Sequence, residues 1–266
     1  MGNRDSDAPW AGAFTIDWST DERLPLAQIN AKYFVLDDRA TVRFNGRTGL
    51  EGKISDATLE RIRVVDSTKL PQTDLASVPS IVRWFANTYG AYTPAALIHD
   101  WLIEESSERG AGTDAPSAVT NEQADRYFRY MLSAVGVPVF KRWIMWSAVA
   151  LATRFRTRSI KTVLAVMWAT LATAGIIAFV WSALGLAFEV ELPGDAKAGA
   201  VLIASLAAPV LASLLWGRQV GAGLVGSAAA LWILPPSIFA GAGFLIYRVL
   251  EFAASPLDRL WRKFRQ

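Results

Sequence analysis

The chain has no cysteine and a single histidine in 266 residues. Without cysteine there is no disulfide framework, zinc–thiolate site, iron–sulfur cluster or thiol nucleophile. One imidazole excludes sites that need two, such as the HExxH zinc helix. Acid is missing from one long stretch. Between Asp125 and Glu189 there is no Asp or Glu, while Arg126, Arg129, Lys141, Arg142, Arg154, Arg156, Arg158 and Lys161 fall there. The formal net charge of +3 is too small to argue for a nucleic-acid partner. KRWIMW at 141–146 interleaves bases with aromatics, but it reads as the wet end of a membrane-proximal helix rather than an RNA surface. No nucleic acid is expected. The first 30 residues hold no apolar run long enough for the h-region of a signal peptide.

What the chain has in excess is apolar sequence, 52% of all residues, and it is unevenly placed. Residues 1–160 carry 19 basic and 19 acidic side chains, residues 161–266 only 8 and 5. Three uncharged runs fill the second part, at 162–188, 199–216 and 220–247. About 20 such residues suffice to cross the hydrocarbon core of a bilayer. Gly, Ala and Ser are frequent in the last two, which suits close helix packing in lipid. Runs two and three are therefore expected to pack on each other or on a second copy, as a homo-oligomer. The basic cluster RFRTRSIK before the first run places that end in the cytoplasm. The tail SPLDRLWRKFRQ has the pattern of an amphipathic helix on an anionic leaflet. Pro235-Pro236 interrupts the third run, so that run either bends back as a re-entrant hairpin, leaving the tail inside, or crosses.

The first part reads as α+β. YFVLD (33–37), TVRF (41–44) and RIRVV (61–65) are expected strands of a small, mostly antiparallel sheet. About four helices follow. The first is SIVRWFA after Pro79. The second opens at Thr93-Pro94 with Thr as N-cap, and fades into the polar stretch EESSERGAGTDAPSA. The third begins with the capping box T-N-E-Q at Thr120. The fourth covers roughly 139–153. The expected organisation is a polar segment at 1–32, a soluble domain at 33–153, a basic juxtamembrane segment at 154–161, a membrane region at 162–247 with two or three spans, and a basic tail at 248–266.

Four polar residues sit among apolar neighbours: Asp74, His99, Asp100 and Asp125. A buried charge costs several kcal/mol unless it is paired or hydrogen-bonded, so the simplest expectation is that they partner one another. The same groups are candidates for chemistry. His99, Asp74 and Asp100 are candidate general acid–base residues, and His99, Asp74 and Asp125 are candidate ligands of a divalent metal ion such as Mg²⁺, Mn²⁺ or Zn²⁺. Successive helical residues diverge by about 100°. Asp74 or Asp125 is thus a better partner for His99 than Asp100. Ser77 lacks the G-x-S-x-G context of a nucleophile.

The run TDLASVP at 73–79, then Tyr92, then AALIHDWL at 95–102, then Ala124-Asp125 and Met131, resembles the family of unknown function numbered 1353. The resemblance covers about residues 33–150. It implies a phage or bacterial source and no assigned activity. The positions that match its motifs are Thr73, Asp74, Ser77, His99, Asp100 and Asp125; Thr73, Ser77, Tyr92 and Trp101 are candidate binding residues. Leu75 stands where many members have glycine, and the long N-terminal segment and membrane tail depart from the usual form. The resulting expectation is a protein of the bacterial-type inner membrane whose partner is the lipid bilayer. Its cytoplasmic module has a binding or structural role toward an unidentified protein. The rival expectation is a metal-assisted hydrolase acting near the membrane through His99 and its carboxylates.

Overall fold

The structure, a computed structural model, describes residues 10, 12–17, 24–30, 33–74, 90–109, 119–156, 158–188 and 198–264. The class is α+β, with small antiparallel sheets followed by a mostly helical remainder. β1 (Phe14–Asp17), β4 (Thr41–Phe44) and β5 (Val64–Asp66) form one sheet in the order β1-β4-β5; β2 (Leu26–Gln28) and β3 (Phe34–Leu36) form a separate two-stranded ribbon. Two small sheets thus stand where one was expected. β1 and β2 fall within 1–32, and Phe14 and Ala13 join the core.

Helix α1 (Asp56–Ile62) occupies the start of the expected third strand. Ser55 caps it, its hydroxyl accepting from the Thr58 N–H. Arg61 and Ile62 are therefore helical, and only Val64–Asp66 pairs with β4. The SIVRWFA helix falls on residues outside those described. α2 (Thr93–Arg109) is longer than expected and runs through EESSER, where Glu105 forms an ion pair with Arg61 of α1. Thr93 is the first helical residue rather than the cap. Its hydroxyl accepts from the Gly90 N–H at 2.8 Å. The capping box of α3 (Asn121–Ala134) forms as read: Gln123 N–H donates to the Thr120 hydroxyl and the Thr120 N–H to the Gln123 side chain.

The core joins both sheets to α2 and α3. Leu36, Val42, Phe44, Leu50, Ile62, Val65, Leu97, Ile98, Leu102, Tyr127, Phe128 and Met131 have almost no exposed surface. Each such large side chain contributes about 1.5–3 kcal/mol by leaving water. α4 (Val139–Arg156) borders this core with Met145, while Trp146 and Ala150 belong to a second cluster with Trp168, Ala172, Ala212, Trp216 and Ala222. One helix thus serves as the wall of two cores.

That second cluster belongs to the C-terminal helices α5 (Ile160–Phe188), α6 (Ala198–Ala212) and α7 (Val220–Phe264), with a 3₁₀ segment, Ser213–Gln219, between the last two. The stretches Ile160–Gly185, Ala200–Ile233 and Pro235–Ala254 are each long and apolar enough to cross a membrane. A non-helical residue, Gly217, divides the second of them between α6 and α7. Helix α6 packs chiefly on α5, not on α7 as the small residues suggested. The contact is close because of glycine: a β-carbon on Gly175 of α5 would lie 2.7 Å from the backbone oxygen of Ser205. The re-entrant bend is not formed, since α7 continues as one helix through Pro235-Pro236.

Gly175→Val should force α5 and α6 apart and destabilise the pair by about 1–3 kcal/mol. Thermal unfolding in detergent checks this; an unchanged midpoint would mean that the helices do not touch there.

Candidate functional site

Of the residues singled out in the sequence, Thr73, His99, Asp100 and Asp125 come together, Thr73 from a bridge to β3 and the others from α2 and α3. The backbone of Thr73 pairs with Phe34 of β3 (N···O 2.8 and 2.9 Å). This fixes Thr73 so that its hydroxyl donates to Asp100 Oδ2 at 2.5 Å. α2 carries both His99 and Asp100. α3 brings Asp125, whose Oδ1 lies 3.0 Å from His99 Nε2. The imidazole ring rests against Phe128, one turn on from Asp125, with 5.2 Å between ring centres. Of the two partners foreseen for His99, Asp125 is the one that binds it. Asp100 also approaches: its Oδ1 is 3.8 Å from His99 Nδ1, too long for a hydrogen bond but close enough for its charge to act.

Asp125 is 1% exposed and His99 7%. The Asp125 carboxylate accepts three hydrogen bonds: Oδ1 from His99 and from the Thr153 hydroxyl (3.0 Å), Oδ2 from Gln219 Nε2 (3.0 Å). The Gln219 oxygen in turn accepts from Arg154 Nη2 at 3.0 Å, and Arg154 also donates to the Trp216 carbonyl at 2.9 Å. Arg154 is buried, with its guanidinium 4.5 Å from the Trp216 ring centre. The cluster therefore sets two carboxylates against an imidazole and a guanidinium, linked by neutral donors.

Burial alone would lower the pKa of His99. The carboxylates of Asp100 and Asp125 outweigh it and raise the value from 6.5 to about 9. The ring is thus an imidazolium at neutral pH, and both of its nitrogens carry protons. For Arg154, burial pulls the pKa down against the fields of Glu122 and Asp125.

The other candidates take different places. Asp74 is half-buried beside Thr73, and Ser77 lies outside the described residues. Tyr92 and Trp101 are buried in the core, Trp101 with the Lys69 ammonium 4.7 Å from its ring centre. Among the described residues, no three His, Asp or Glu side chains converge as a metal ion requires. A concavity of about 360 Å³ lies along the β2–β3 ribbon, lined by Pro25, Leu26, Val35, Asp37 and Asp38, and shares no residue with the His99 cluster. Three cluster members escaped sequence reading: Thr153, Arg154 and Gln219. Arg154 is one of eight basic residues in its stretch, and Gln219 is 94 positions from Asp125, so neither carries a local signal.

Two outcomes follow from this geometry. The folded pKa of His99 is raised, so its contribution to stability is complete below about pH 6.5 and is lost as pH rises through 9, up to ~3 kcal/mol in all. A titration of the single imidazole by NMR should give a midpoint near 9, and His99→Gln should remove the corresponding fall in unfolding free energy; a midpoint near 6.5 would contradict the assignment. Asp125→Ala leaves two buried cations without their shared anion and should cost about 3–5 kcal/mol, against ~1 kcal/mol for Thr73→Val, as read by denaturant unfolding in micelles.

No curated protein and no solved structure matches the chain. Residues 55–149 match the model of the family described as a protein of unknown function (DUF1353), a stretch that runs from the cap of α1 into α4 and holds Thr73, Asp74, His99, Asp100 and Asp125.

Proposed function

We propose that the protein is an integral membrane protein of phage, prophage or bacterial type. Its family domain is a cytoplasmic module with a binding or structural role, held on the inner membrane by its C-terminal helices. The observation that carries this reading is the closure of the His99 cluster. Each charge in it has an internal partner, and the last of these, Gln219, comes from the membrane-side turn. A hydrolase needs the opposite arrangement, an open cleft with room for water between convergent groups. The apolar side chains of α7, among them Phe239, Phe244, Leu250 and Phe252, are exposed and suit lipid, the expected partner.

Orientation rests on charge and on docking. The basic residues between Asp125 and α5 favour the cytoplasmic side, and Gln219 ties the α6–α7 turn to the module. α5 then leads outward and α6 back. α7 starts on the module's side and is unbroken over 45 residues, about 67 Å at 1.5 Å per residue, so it delivers the tail to the far side.

Absence of cysteine makes this testable. Single cysteines at Asp195 and Arg262 should react with an impermeant maleimide on intact cells, and one at Arg218 only after permeabilisation; labelling of Arg218→Cys in intact cells would overturn the topology. The competing metal-assisted reading is separated by adding micromolar Mg²⁺, Mn²⁺ or Zn²⁺ to the full chain in micelles. The His99 signal should not move. A shift abolished by Asp74→Asn would favour a metal site and a hydrolase.

A further inference from the structure

A cluster of three arginines stands outside the Asp125 network. On α3, Arg126, Arg129 and Ser133 recur at i, i+3 and i+7 and share one face. Arg142 of α4 donates to the Ser133 hydroxyl, which brings its guanidinium beside that face. The Arg129 guanidinium lies 4.3 Å from the ring centre of Trp143 and 4.4 Å from that of Trp146. The two indoles meet edge-on, 5.3 Å apart, and form a platform for it. Like charges at such spacing repel. Burial pulls the pKa of Arg129 down; Tyr130 opposes this, and the charges of Arg126 and Arg142 add to the fall.

Among the described residues no carboxylate balances these three charges. Glu122 pairs with Lys161, and Asp125 is enclosed by His99, Thr153 and Gln219. A cation–π contact consumes no N–H, so the stacked guanidinium keeps its donors for oxygen acceptors. Several guanidiniums together match the oxygens of a phosphate group. The setting narrows the source of that phosphate. A β-carbon on Gly221, in the first turn of α7, would lie 3.7 Å from both indoles, so the cluster sits where an apolar helix begins. Val139 and Phe140 precede Trp143 by four and three positions and share its side of α4. They are 62% and 66% exposed. Exposed apolar side chains beside a basic cluster fit a lipid interface, the first meeting acyl chains and the second headgroups. A soluble phosphate makes no use of them.

We propose that Arg126, Arg129 and Arg142, with the Trp143–Trp146 platform, bind the phosphate of an anionic phospholipid headgroup, while Val139 and Phe140 contact its acyl chains. This rests on the C-terminal helices crossing a bilayer, and it names the lipid class that the module holds. Cysteine labelling tests the topology by itself. Correct topology without lipid binding at the cluster would sink this proposal alone.

The experiment titrates the full chain in neutral-detergent micelles with phosphatidylglycerol, and the rise in unfolding temperature gives the apparent affinity. Phosphatidylcholine and inorganic phosphate, titrated in the same way, should give no comparable rise. Arg129→Gln with Arg142→Gln should weaken phosphatidylglycerol binding by about tenfold or more, because charge-assisted hydrogen bonds are lost. Arg156→Gln with Arg158→Gln removes the same charge from exposed positions at the α4–α5 corner and should leave the affinity nearly unchanged. Equal weakening by the two pairs would mean a diffuse charge effect and overturn the site. An equal rise with phosphatidylcholine or inorganic phosphate would overturn the anionic-lipid assignment, and no rise with phosphatidylglycerol would overturn the proposal outright. Should the Arg129 pair fail to fold, Arg126→Gln with Arg142→Gln keeps the stacked residue and decides in its place, with the same loss of affinity expected and an unchanged affinity overturning the site.

Discussion

A buried carboxylate must be surrounded by donors, and Asp125 meets that requirement with side chains from three other elements. His99 comes from α2, Thr153 from α4 and Gln219 from the turn before α7. None of these elements touches another by virtue of sequence proximity. Each must arrive in place for the charge to be tolerated, since desolvation without partners costs several kcal/mol. Asp125 is thus the point at which the positions of α2, α3, α4 and the turn before α7 are made mutually dependent. The same arrangement favours the protonated form of His99, and Arg154 faces the same carboxylate at a distance through Gln219.

This dependence explains why the module and the C-terminal apolar helices are not two bodies joined by a linker. α4 gives Met145 to the core of the module and Trp146 and Ala150 to the core below it. Trp168 Nε1 donates to Ser227 at 3.1 Å within that lower core, and Lys161 at the start of α5 pairs with Glu122 of α3 at 2.9 Å. Apolar burial makes the contact and the polar links fix its register. Apolar surfaces alone slide, whereas hydrogen bonds to buried groups are satisfied in one geometry only.

Much of this was legible from local signals. The capping box at Thr120 depends on residues three apart, and the three apolar runs depend on composition. Helix geometry turned His99 from Asp100 toward Asp74 or Asp125, and the structure pairs it with Asp125. The misreadings have physical reasons. RIRVV is as apolar and β-branched as a strand, but Ser55 and Asp56 start a helix whose burial of Leu59 and Ile62 against the core outweighs that preference. Thr93-Pro94 resembles a cap, yet the backbone of Tyr92 already accepts from Ala96, which moves the start of the helix by one residue. Pro235-Pro236 looked like a break. Prolines one apart remove two donors from the same turn, and in α7 the helix continues through them.

By itself the sequence determined the class, the apolar helices, the four unusual polar residues and the absence of thiol chemistry. These depend on what a residue is and on neighbours within a few positions. Only the tertiary structure decided which groups close on Asp125. Asp125, His99, Thr153 and Gln219 are drawn from separate elements, with up to 94 positions between partners. The choice of Gln219 over the other polar residues of the tail is made by the packing of α4 against α7, and no periodicity encodes it. The chain specifies that a buried charge needs a partner, and the fold specifies which one arrives.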